Sequence, residues 1–382
     1  MFTLVVNKAI TVNATGYQLE LLLADQLKKI LADVPWLRSW QVQVESLSPD
    51  NRWDVVARGK LPNGKPAQWN VECRSQMAPS QFDSLKKRVQ ESPNSQSIPV
   101  LAAPRISPRM AELCQQNGWS WYDLAGNCHL ELPPFLFIER TGLEPVELAT
   151  AKPSASLGSP EASLVIRALL TPAHAGRRWT QRQVVELLEK TSPHLVPSLA
   201  LVNKVVQAVR SEAYVASLPD RGFRVVDPVG LLQAWCSDYS FKRHVRKRYF
   251  TLLQGMALRS KLHALGEKYP GEVCYMAFSA AEFQAAHVRQ PKTWLYLTPA
   301  LEEEWCSHLE ARSVDSGENV VVFLPGESGV FYGLDESEQR LSSTSLVQTY
   351  ADLMQVGGRG EEAASALLEQ RLKPAWKTIN NA

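Results

Sequence analysis

The apolar positions of the first 150 residues change spacing several times. From Gln18 to Leu31 leucines recur with the period of a helix, and beyond this helix the pattern becomes that of strands. Asn63-Gly64 lies between two of the extended runs and is a strong hairpin signal. Strands are predicted at Trp40–Ser46, Trp53–Arg58, Gln68–Cys73, Ile98–Ala102 and Trp119–Leu132, and further helices at Gln81–Glu91 and Ser107–Asn117. Strands mixed with helices predict an α/β domain over residues 1–150.

The middle of the chain, residues 151–240, contains three helix starts in succession. Each has a capping signal: a serine before proline, a capping box, and a proline–serine pair. The three signals are Ser159-Pro160, Thr180 to Gln183, and Pro197-Ser198. Two short strands, Tyr214–Leu218 and Phe223–Val226, then surround a turn. Three helices followed by a β-hairpin is the order of a winged helix-turn-helix, so this segment is predicted to bind DNA.

Residues 241–382 are predicted to form a second α/β domain. Its first element is predicted to be one long helix, Phe241–Leu265. Strands are then predicted at Glu272–Phe278, Thr293–Leu297, Asn319–Leu324 and Val330–Gly333, and helices at Ser345–Met354 and Gly360–Leu372. A linker rich in Pro, Ser and Ala, Thr150–Pro160, separates the first domain from the middle domain. The second domain boundary is placed near residue 240, which gives a multidomain α/β protein.

Composition favours an ordinary soluble globular protein. The chain has 382 residues, 45% hydrophobic and 21% charged, enough for two or three domains. Its first residues lack the basic segment and long apolar run of a signal peptide, and no stretch has the length and apolar character of a membrane span. The six cysteines form no C-x-x-C pair, which predicts reduced thiols rather than a zinc site. We therefore expect a cytoplasmic protein.

Charge is distributed unevenly, although the net charge is only +2. Residues 1–151 are balanced, residues 152–260 carry +9, and residues 261–382 carry −7. A basic middle between a neutral front and an acidic back predicts that a polyanion binds the middle. A solvated basic surface without a ligand is the alternative.

Two carboxylates and an arginine occur on the predicted hairpin of the first domain. Asp54 and Glu72 lie on neighbouring strands, where they could hold Mg²⁺, and Glu20 on the preceding helix could be a third ligand. Arg74 follows Glu72 by two residues and so points to the same face of the strand. This layout resembles the core of a PD-(D/E)XK nuclease, in which a lysine takes the position of Arg74.

An arginine in place of lysine changes the expected chemistry. Its guanidinium stays protonated, so Arg74 can bind phosphate but cannot accept a proton from water. The domain is therefore expected to cut nucleic acid slowly or not at all. Surface carboxylates with Arg74 as their salt-bridge partner are the alternative interpretation.

The third helix of the middle domain has two faces. Its apolar stripe, expected to pack inward, consists of Leu199, Val202, Val205, Val206 and Val209. The opposite face carries Asn203, Lys204, Gln207 and Arg210, side chains that read adenine and guanine edges in the major groove. Candidate phosphate contacts are Arg177, Arg178 and Arg182 near the second helix and Arg221 and Arg224 on the hairpin. A protein-interaction surface is the alternative.

A basic run follows the predicted hairpin. It comprises Lys242, Arg243, Arg246, Lys247 and Arg248, interleaved with apolar residues. On a helix most of these side chains would form one basic face, which we expect to extend the phosphate-contacting surface. A membrane-interface face or a solvated face are alternatives. By contrast, Gly357-Gly358-Arg359-Gly360 lacks the Lys-Ser/Thr pair of a P-loop and is predicted to be a turn and helix cap.

Five further segments have distinctive sequences: Pro104–Arg109, Trp121–Pro133, Gly329–Gly333, Ser345–Asp352 and Gly358–Ala364. In these segments the chain resembles bacterial proteins grouped with the AbiEi-type antitoxins of type IV toxin–antitoxin systems. The resemblance implies a restriction-endonuclease-like first domain, a central winged helix and a C-terminal domain related in outline to nucleotidyltransferases. It also implies a DNA-binding regulator that represses its own operon and counters a partner toxin. Because Thr293–Leu297 carries no acidic pair, nucleotide transfer is not expected.

Three functions are compatible with the sequence. The first is a transcriptional regulator of the antitoxin type, which binds double-stranded DNA through the winged helix without a cofactor. The second is a Mg²⁺-dependent nuclease that the winged helix directs to its substrate. The third is an interaction module whose acidic C-terminal domain binds a basic partner protein.

Overall fold

A computed structural model describes residues 16–44, 53–75, 77–90, 98–143, 156–219, 221–288 and 290–377. The chain divides into two compact units, Met1–Pro153 and Ser154–Ala382. The predicted linker Thr150–Pro160 falls at this division, and its residues 150–155 lie outside the described residues. The predicted boundary near residue 240 lies inside the second unit.

The described part of the first unit contains one seven-stranded sheet. Its elements are α1 (Tyr17–Ala32), β1 (Gln41–Val44), β2 (Val55–Lys60), β3 (Pro66–Cys73), α2 (Phe82–Gln90), β4 (Ile98–Ala103), α3 (Pro108–Gln116), β5 (Ser120–Asp123), β6 (Cys128–Leu132) and β7 (Leu136–Arg140). The strands lie side by side in sequence order. The pairs β3–β4 and β4–β5 are parallel, and the others are antiparallel. Within the described residues the predicted elements are confirmed to within about two residues, except that Trp119–Leu132 forms two strands and β7 was not predicted. Residues 45–46 and 91 of the predicted elements lie outside the described residues.

Helices cover both faces of this sheet because apolar side chains project from both sides of its strands. α1 packs on one face, where Leu23, Leu27 and Trp69 are buried. α2 and α3 contribute to a second cluster, in which Phe82 and Leu101 are buried. Burying a leucine or phenylalanine side chain contributes about 1.5–3 kcal/mol. Successive residues of β3 therefore point alternately towards the cluster under α1 and the cluster under α2 and α3.

The second unit begins with the predicted three helices and hairpin. These elements are α4 (Pro160–Leu170), α5 (Gln181–Thr191), α6 (Leu199–Ser211), β8 (Val215–Ser217) and β9 (Phe223–Val225). The side-chain oxygens of Ser159, Thr180 and Ser198 each accept a hydrogen bond from the backbone N–H three residues later. Thr180 and Gln183 complete a capping box. Each such cap contributes about 1 kcal/mol to stability, so the sequence defines where these helices begin.

The remainder of the second unit is built around a five-stranded sheet. Its elements are α7 (Pro228–Asp238), β10 (Val245–Phe250), α8 (Gly255–Lys268), β11 (Val273–Tyr275), α9 (Ala277–Gln284), β12 (Thr293–Leu297), α10 (Glu302–His308), β13 (Arg312–Ser313), β14 (Val320–Leu324), α11 (Leu346–Val356), α12 (Arg359–Leu367) and α13 (Lys373–Lys377). The strand order is β11-β12-β14-β10-β13. β12 and β14 are parallel, and the other neighbouring pairs are antiparallel.

The prediction of one long helix over Phe241–Leu265 is wrong. Residues 245–250 form the strand β10, which pairs with β14 on one side and β13 on the other. Gly255, at the start of α8, has a φ of 53°, a left-handed conformation that glycine adopts without steric cost. Pairing with two distant strands thus overrides the helical pattern of this basic segment.

Two further predicted strands need correction. Glu272–Phe278 is a strand only from Val273 to Tyr275, because α9 begins at Ala277. The predicted strand Val330–Gly333 is not a strand: its first two residues belong to a 3-10 helix, Ser328–Phe331, and its last two form a turn. The strands at 293–297 and 319–324 and the two later helices are confirmed to within about two residues, the last helix continuing through a π-helical turn.

The first helices of the second unit share a hydrophobic core with its later elements. This core includes Leu164 and Val205 from α4 and α6, and Phe278, Leu353 and Leu367 from α9, α11 and α12. The region α4–β9 is therefore packed together with residues that follow the predicted boundary near residue 240.

Candidate nucleic-acid interface

Asp54 and Glu72 lie next to each other at the end of the β2–β3 hairpin. Val55 pairs with Val71, so the next position outward places Asp54 beside Glu72. The half-buried Asp54 accepts a hydrogen bond at its Oδ2 from the backbone N–H of Cys73, at 2.7 Å. Hairpin register thus places the two residues that the sequence singled out at neighbouring backbone positions.

Arg74 is the ion-pair partner of Glu72. The Glu72 side chain is 3% exposed, whereas that of Arg74 is 33% exposed. The Arg74 guanidinium also donates to the Cys73 carbonyl oxygen at 3.1 Å. The buried carboxylate is therefore compensated by a cation that itself reaches solvent. The alternative interpretation expected the ion pair, but it expected Glu72 at the surface, and there it is wrong.

Glu20 is half-buried on α1, and its Oε2 has no hydrogen-bond partner among the described residues. Burial raises the pKa of the Cys73 thiol well above its ordinary value, and the charges of Asp54 and Glu20 raise it further. These two carboxylates therefore lie near the same thiol. Glu72 pairs in register with Leu101, a residue of the α2–α3 cluster, and as the neighbour of Cys73 it points to the other face of β3.

The carboxylates of the predicted Mg²⁺ site already have partners within the protein. Mg²⁺ requires near-octahedral oxygen ligands, and here Glu72 is paired with Arg74 while Asp54 binds a backbone N–H. No group of three or more His, Cys, Asp or Glu residues in the described ranges is arranged to hold a metal ion. Glu20, Asp54 and Glu72 are consequently not such a group.

The helix α6 has the two faces that its sequence predicted. Its four valines are fully buried: Val202, Val205, Val206 and Val209. Asn203, Lys204 and Gln207 are exposed, and Arg210 is half-buried. Leu199 does not pack inward as expected, because it lies in the first turn and remains 44% exposed.

The arginines predicted to contact phosphate lie on two segments of the chain that are joined by a backbone contact. The sequence analysis did not predict this contact. Trp179 and Phe223 form an antiparallel bridge, in which each N–H donates to the other's carbonyl oxygen at 2.8 Å. This contact ties the segment before α5 to the hairpin. The exposed cations on the joined segments are Arg177, Arg178, Arg182, Arg221 and Arg224. Two groups of arginines that are distant in sequence are therefore brought to neighbouring backbone segments.

Two contacts fix parts of this surface. The Arg177 guanidinium lies 4.1 Å from the centre of the Trp179 ring, a cation–π contact. Gln181 donates to the Asn203 Oδ1 at 2.9 Å and so connects α5 to the exposed face of α6. The sequence analysis did not assign a role to Trp179. Its position between Arg178 and the N-cap Thr180 could have indicated an aromatic residue within the basic surface.

The basic run 242–248 does not form the expected helical face. Lys242 and Arg243 lie in a 3-10 turn, where Arg243 donates to the Gly158 carbonyl oxygen. On β10, Arg246 lies 5.6 Å from the centre of the Trp294 ring. Lys247 is paired with Glu302, the Nζ–Oε2 distance being 2.7 Å. Arg243 and Lys247 are thus engaged within the protein. On the strand, alternate side chains point to opposite faces, so Arg246 and Lys247 cannot share one basic face.

A comparison with known protein families finds a match for one part of the chain. Residues 224–373 match the family described as "Transcriptional regulator, AbiEi antitoxin, Type IV TA system". The match begins on β9 and extends to the start of α13, so it connects this region with a family of transcriptional regulators and antitoxins. No curated protein and no solved structure matches the chain. None of the helices in the described ranges has both the length and the apolar character needed to cross a membrane.

Proposed function

We propose that the protein is a DNA-binding transcriptional regulator of the antitoxin type, in which α4–β9 is a winged helix. The observation that carries this proposal is the Trp179–Phe223 bridge, which joins two groups of exposed arginines beside a helix with an exposed polar face. The match of residues 224–373 to a family of transcriptional regulators supports the same conclusion.

In this proposal α6 is the reading helix. Its exposed Asn203, Lys204 and Gln207 offer the donors and acceptors that recognise purine edges in the major groove. The buried valines on its other face hold the helix against the core, so the polar face is presented on a rigid element. The Gln181–Asn203 hydrogen bond restricts the asparagine, and DNA binding requires it to be exchanged for a base contact.

The arginines around the bridge hold the DNA backbone. Exposed guanidinium groups bind phosphate oxygens in pairs of hydrogen bonds, and each neutralised phosphate releases condensed counterions. Arg177 and Arg182 flank the start of α5, and Arg224 lies on β9. Contacts from both segments would fix the position of α6 in the groove without reading sequence.

The first unit supports nucleic-acid binding without efficient cleavage. Its helix, three strands, helix and parallel fourth strand follow the layout expected of a restriction-endonuclease-like domain. Arg74 forms an ion pair with the Glu72 carboxylate, and its guanidinium stays protonated. No base is therefore present at residue 74, where PD-(D/E)XK nucleases have a lysine. We propose that this site contributes phosphate binding or a structural role, and that the nuclease alternative is the weaker one.

A toxin partner is the remaining part of the proposal. The family matched by residues 224–373 is described as an antitoxin of type IV systems. Residues 261–382 carry a net charge of −7, which suits a partner with a basic surface. Partner binding and DNA binding are thereby assigned to different parts of the second unit.

Fluorescence anisotropy with the full chain tests the reading helix. The probes are a duplex from the DNA upstream of its own coding sequence and a scrambled duplex of the same length. The double variant Lys204→Ala, Gln207→Ala should lose the preference for the upstream duplex, since each good base contact discriminates by about 1–3 kcal/mol. Lys190→Ala, an exposed cation on α5, is the matched control. An unchanged preference in the double variant would exclude α6 as the reading element.

A further inference from the structure

A cleft of about 950 Å³ lies in the second unit, and no residue of α6 lines it. Its walls come from α8, α9, the segment before β12 and the start of α12. Ligand pockets in proteins typically have volumes of about 300–1,000 Å³, so the cleft can hold a small organic molecule. None of the DNA-contacting candidates lines it.

Cationic side chains enter this cleft from three separate elements. Arg259 lies on α8, Lys292 lies in the segment before β12, and Arg359 is the first residue of α12. Arg259 is paired with Glu282 at 2.8 Å, and Lys292 with Glu318 at 2.6 Å. The exposed Arg359 side chain has no ion pair or hydrogen bond to any other residue of the described ranges. Arg359 is therefore a cation without a carboxylate partner in the described ranges, and Arg259 and Lys292 each have one carboxylate partner.

Aromatic rings form another part of the wall. Tyr275, Phe278 and Phe283 line the cleft, and the rings of Tyr275 and Phe283 lie 5.4 Å apart. The Arg259 guanidinium is 5.5 Å from the centre of the Phe283 ring, so the cationic and aromatic parts are adjacent. Tyr275 and Phe278 are only 3% and 4% exposed, whereas Phe283 is half-buried and provides the accessible aromatic contact of the cleft. Phe283 and the neighbouring cations together offer an apolar contact and a phosphate contact to one ligand.

We infer that this cleft binds a nucleoside phosphate, with the phosphate at Arg359 and Lys292 and the base against the aromatic wall. Arg359 supplies hydrogen-bond donors in a planar fork that matches phosphate oxygens. The aromatic residues favour a ring over an aliphatic acid of the same charge. This inference does not depend on DNA binding, because no residue is shared between the two sites.

Isothermal titration calorimetry of the full chain tests the inference with four probes: AMP, ATP, adenosine and inorganic phosphate. At least one of the two nucleotides should bind at least tenfold more tightly than adenosine and than phosphate, because only a nucleotide engages both parts of the wall. Absence of nucleotide binding up to millimolar concentration would overturn the inference. So would equal affinity for inorganic phosphate, which would indicate simple charge attraction.

Variants separate a specific site from general charge effects. Arg359→Ala should weaken nucleotide binding at least tenfold, whereas Lys261→Ala, an exposed cation on α8 outside the cleft, should leave it unchanged. Phe283→Leu preserves an apolar side chain and should weaken nucleotide more than phosphate binding. Competition by a single-stranded oligonucleotide, with no binding of mononucleotides, would instead make the cleft a nucleic-acid surface and contradict the proposal.

Discussion

Arg167 and Glu327 form an ion pair in the interior of the second unit, with their side chains 0% and 3% exposed and their nearest atoms 2.9 Å apart. Arg167 lies on α4, and its Nε also donates to the Gln348 Oε1 on α11 at 2.7 Å. Charged groups are rarely buried unless they are paired, so this contact links the first helix of the proposed winged helix firmly to the later elements.

Breaking this pair should destabilise the second unit strongly. Arg167→Met leaves the Glu327 carboxylate buried without its cation, which typically costs about 3–5 kcal/mol of unfolding free energy. Urea denaturation followed by tryptophan fluorescence measures the change. The double variant Arg167→Met, Glu327→Leu should lose less than the single variant, because no charge remains unpaired. Lys268→Ala, which removes an exposed pair with Glu304, is the control and should change little. A single variant as stable as the parent would refute this role.

A second prediction concerns pH. Burial raises the pKa of Asp352 to about 7, above that of an unfolded aspartate, although hydrogen bonds from Tyr296 and Gln348 oppose the shift. The folded state therefore holds this proton more tightly. The stability that it contributes is full below the unfolded pKa of 3.8 and is lost as pH rises through the folded pKa of about 7. Burial lowers the pKa of His244 to about 4, so its contribution is instead lost as pH falls below 6.5.

The variant Asp352→Asn isolates the aspartate. Its stability relative to the parent should rise between pH 4 and pH 7, by up to about 1.4 kcal/mol per pH unit, because the variant lacks the group that deprotonates unfavourably. Unfolding at a series of pH values measures this difference, and the His244 contribution cancels because both proteins retain it. A stability difference that stays constant with pH would show that Asp352 has no raised pKa.

The third prediction is that the first unit does not cut nucleic acid efficiently. Purified protein incubated with supercoiled DNA, single-stranded DNA or RNA and Mg²⁺ or Mn²⁺ should show no more cleavage than an Asp54→Ala, Glu72→Ala variant. The reason is the Glu72–Arg74 pair together with the absence of a proton acceptor at residue 74. Robust cleavage by the parent that disappears in the variant would reverse the assignment and make the nuclease alternative the better one.

Local signals in the sequence predicted much of the fold. Ser159, Thr180 and Ser198 determine where three helices begin through hydrogen bonds within their own first turns. Asn63-Gly64 predicted the β2–β3 hairpin, since glycine adopts the positive φ of 81° that this turn requires. The Glu72–Arg74 pair was also readable, because residues two apart on a strand share a face.

The errors occur where distant residues decide the structure. The strand β10 exists because β13 and β14 pair with it, and nothing local to residues 245–250 shows those partners. The Trp179–Phe223 bridge and the Arg167–Glu327 pair likewise join distant parts of the chain. A one-dimensional pattern contains no information about such contacts, and the candidate DNA surface depends on one of them.

The salt dependence of DNA binding tests the central claim most directly. Affinity of the full chain for a labelled duplex is measured over a range of salt concentrations, for the parent, for Arg177→Ala with Arg224→Ala, and for the control Lys190→Ala. The account predicts that the slope of log K against log salt becomes shallower by about 1.8 in the double variant, since each lost phosphate contact removes about 0.9. The control should keep the parent slope. Absence of binding by the parent, or an unchanged slope in the double variant, would contradict the proposed winged helix.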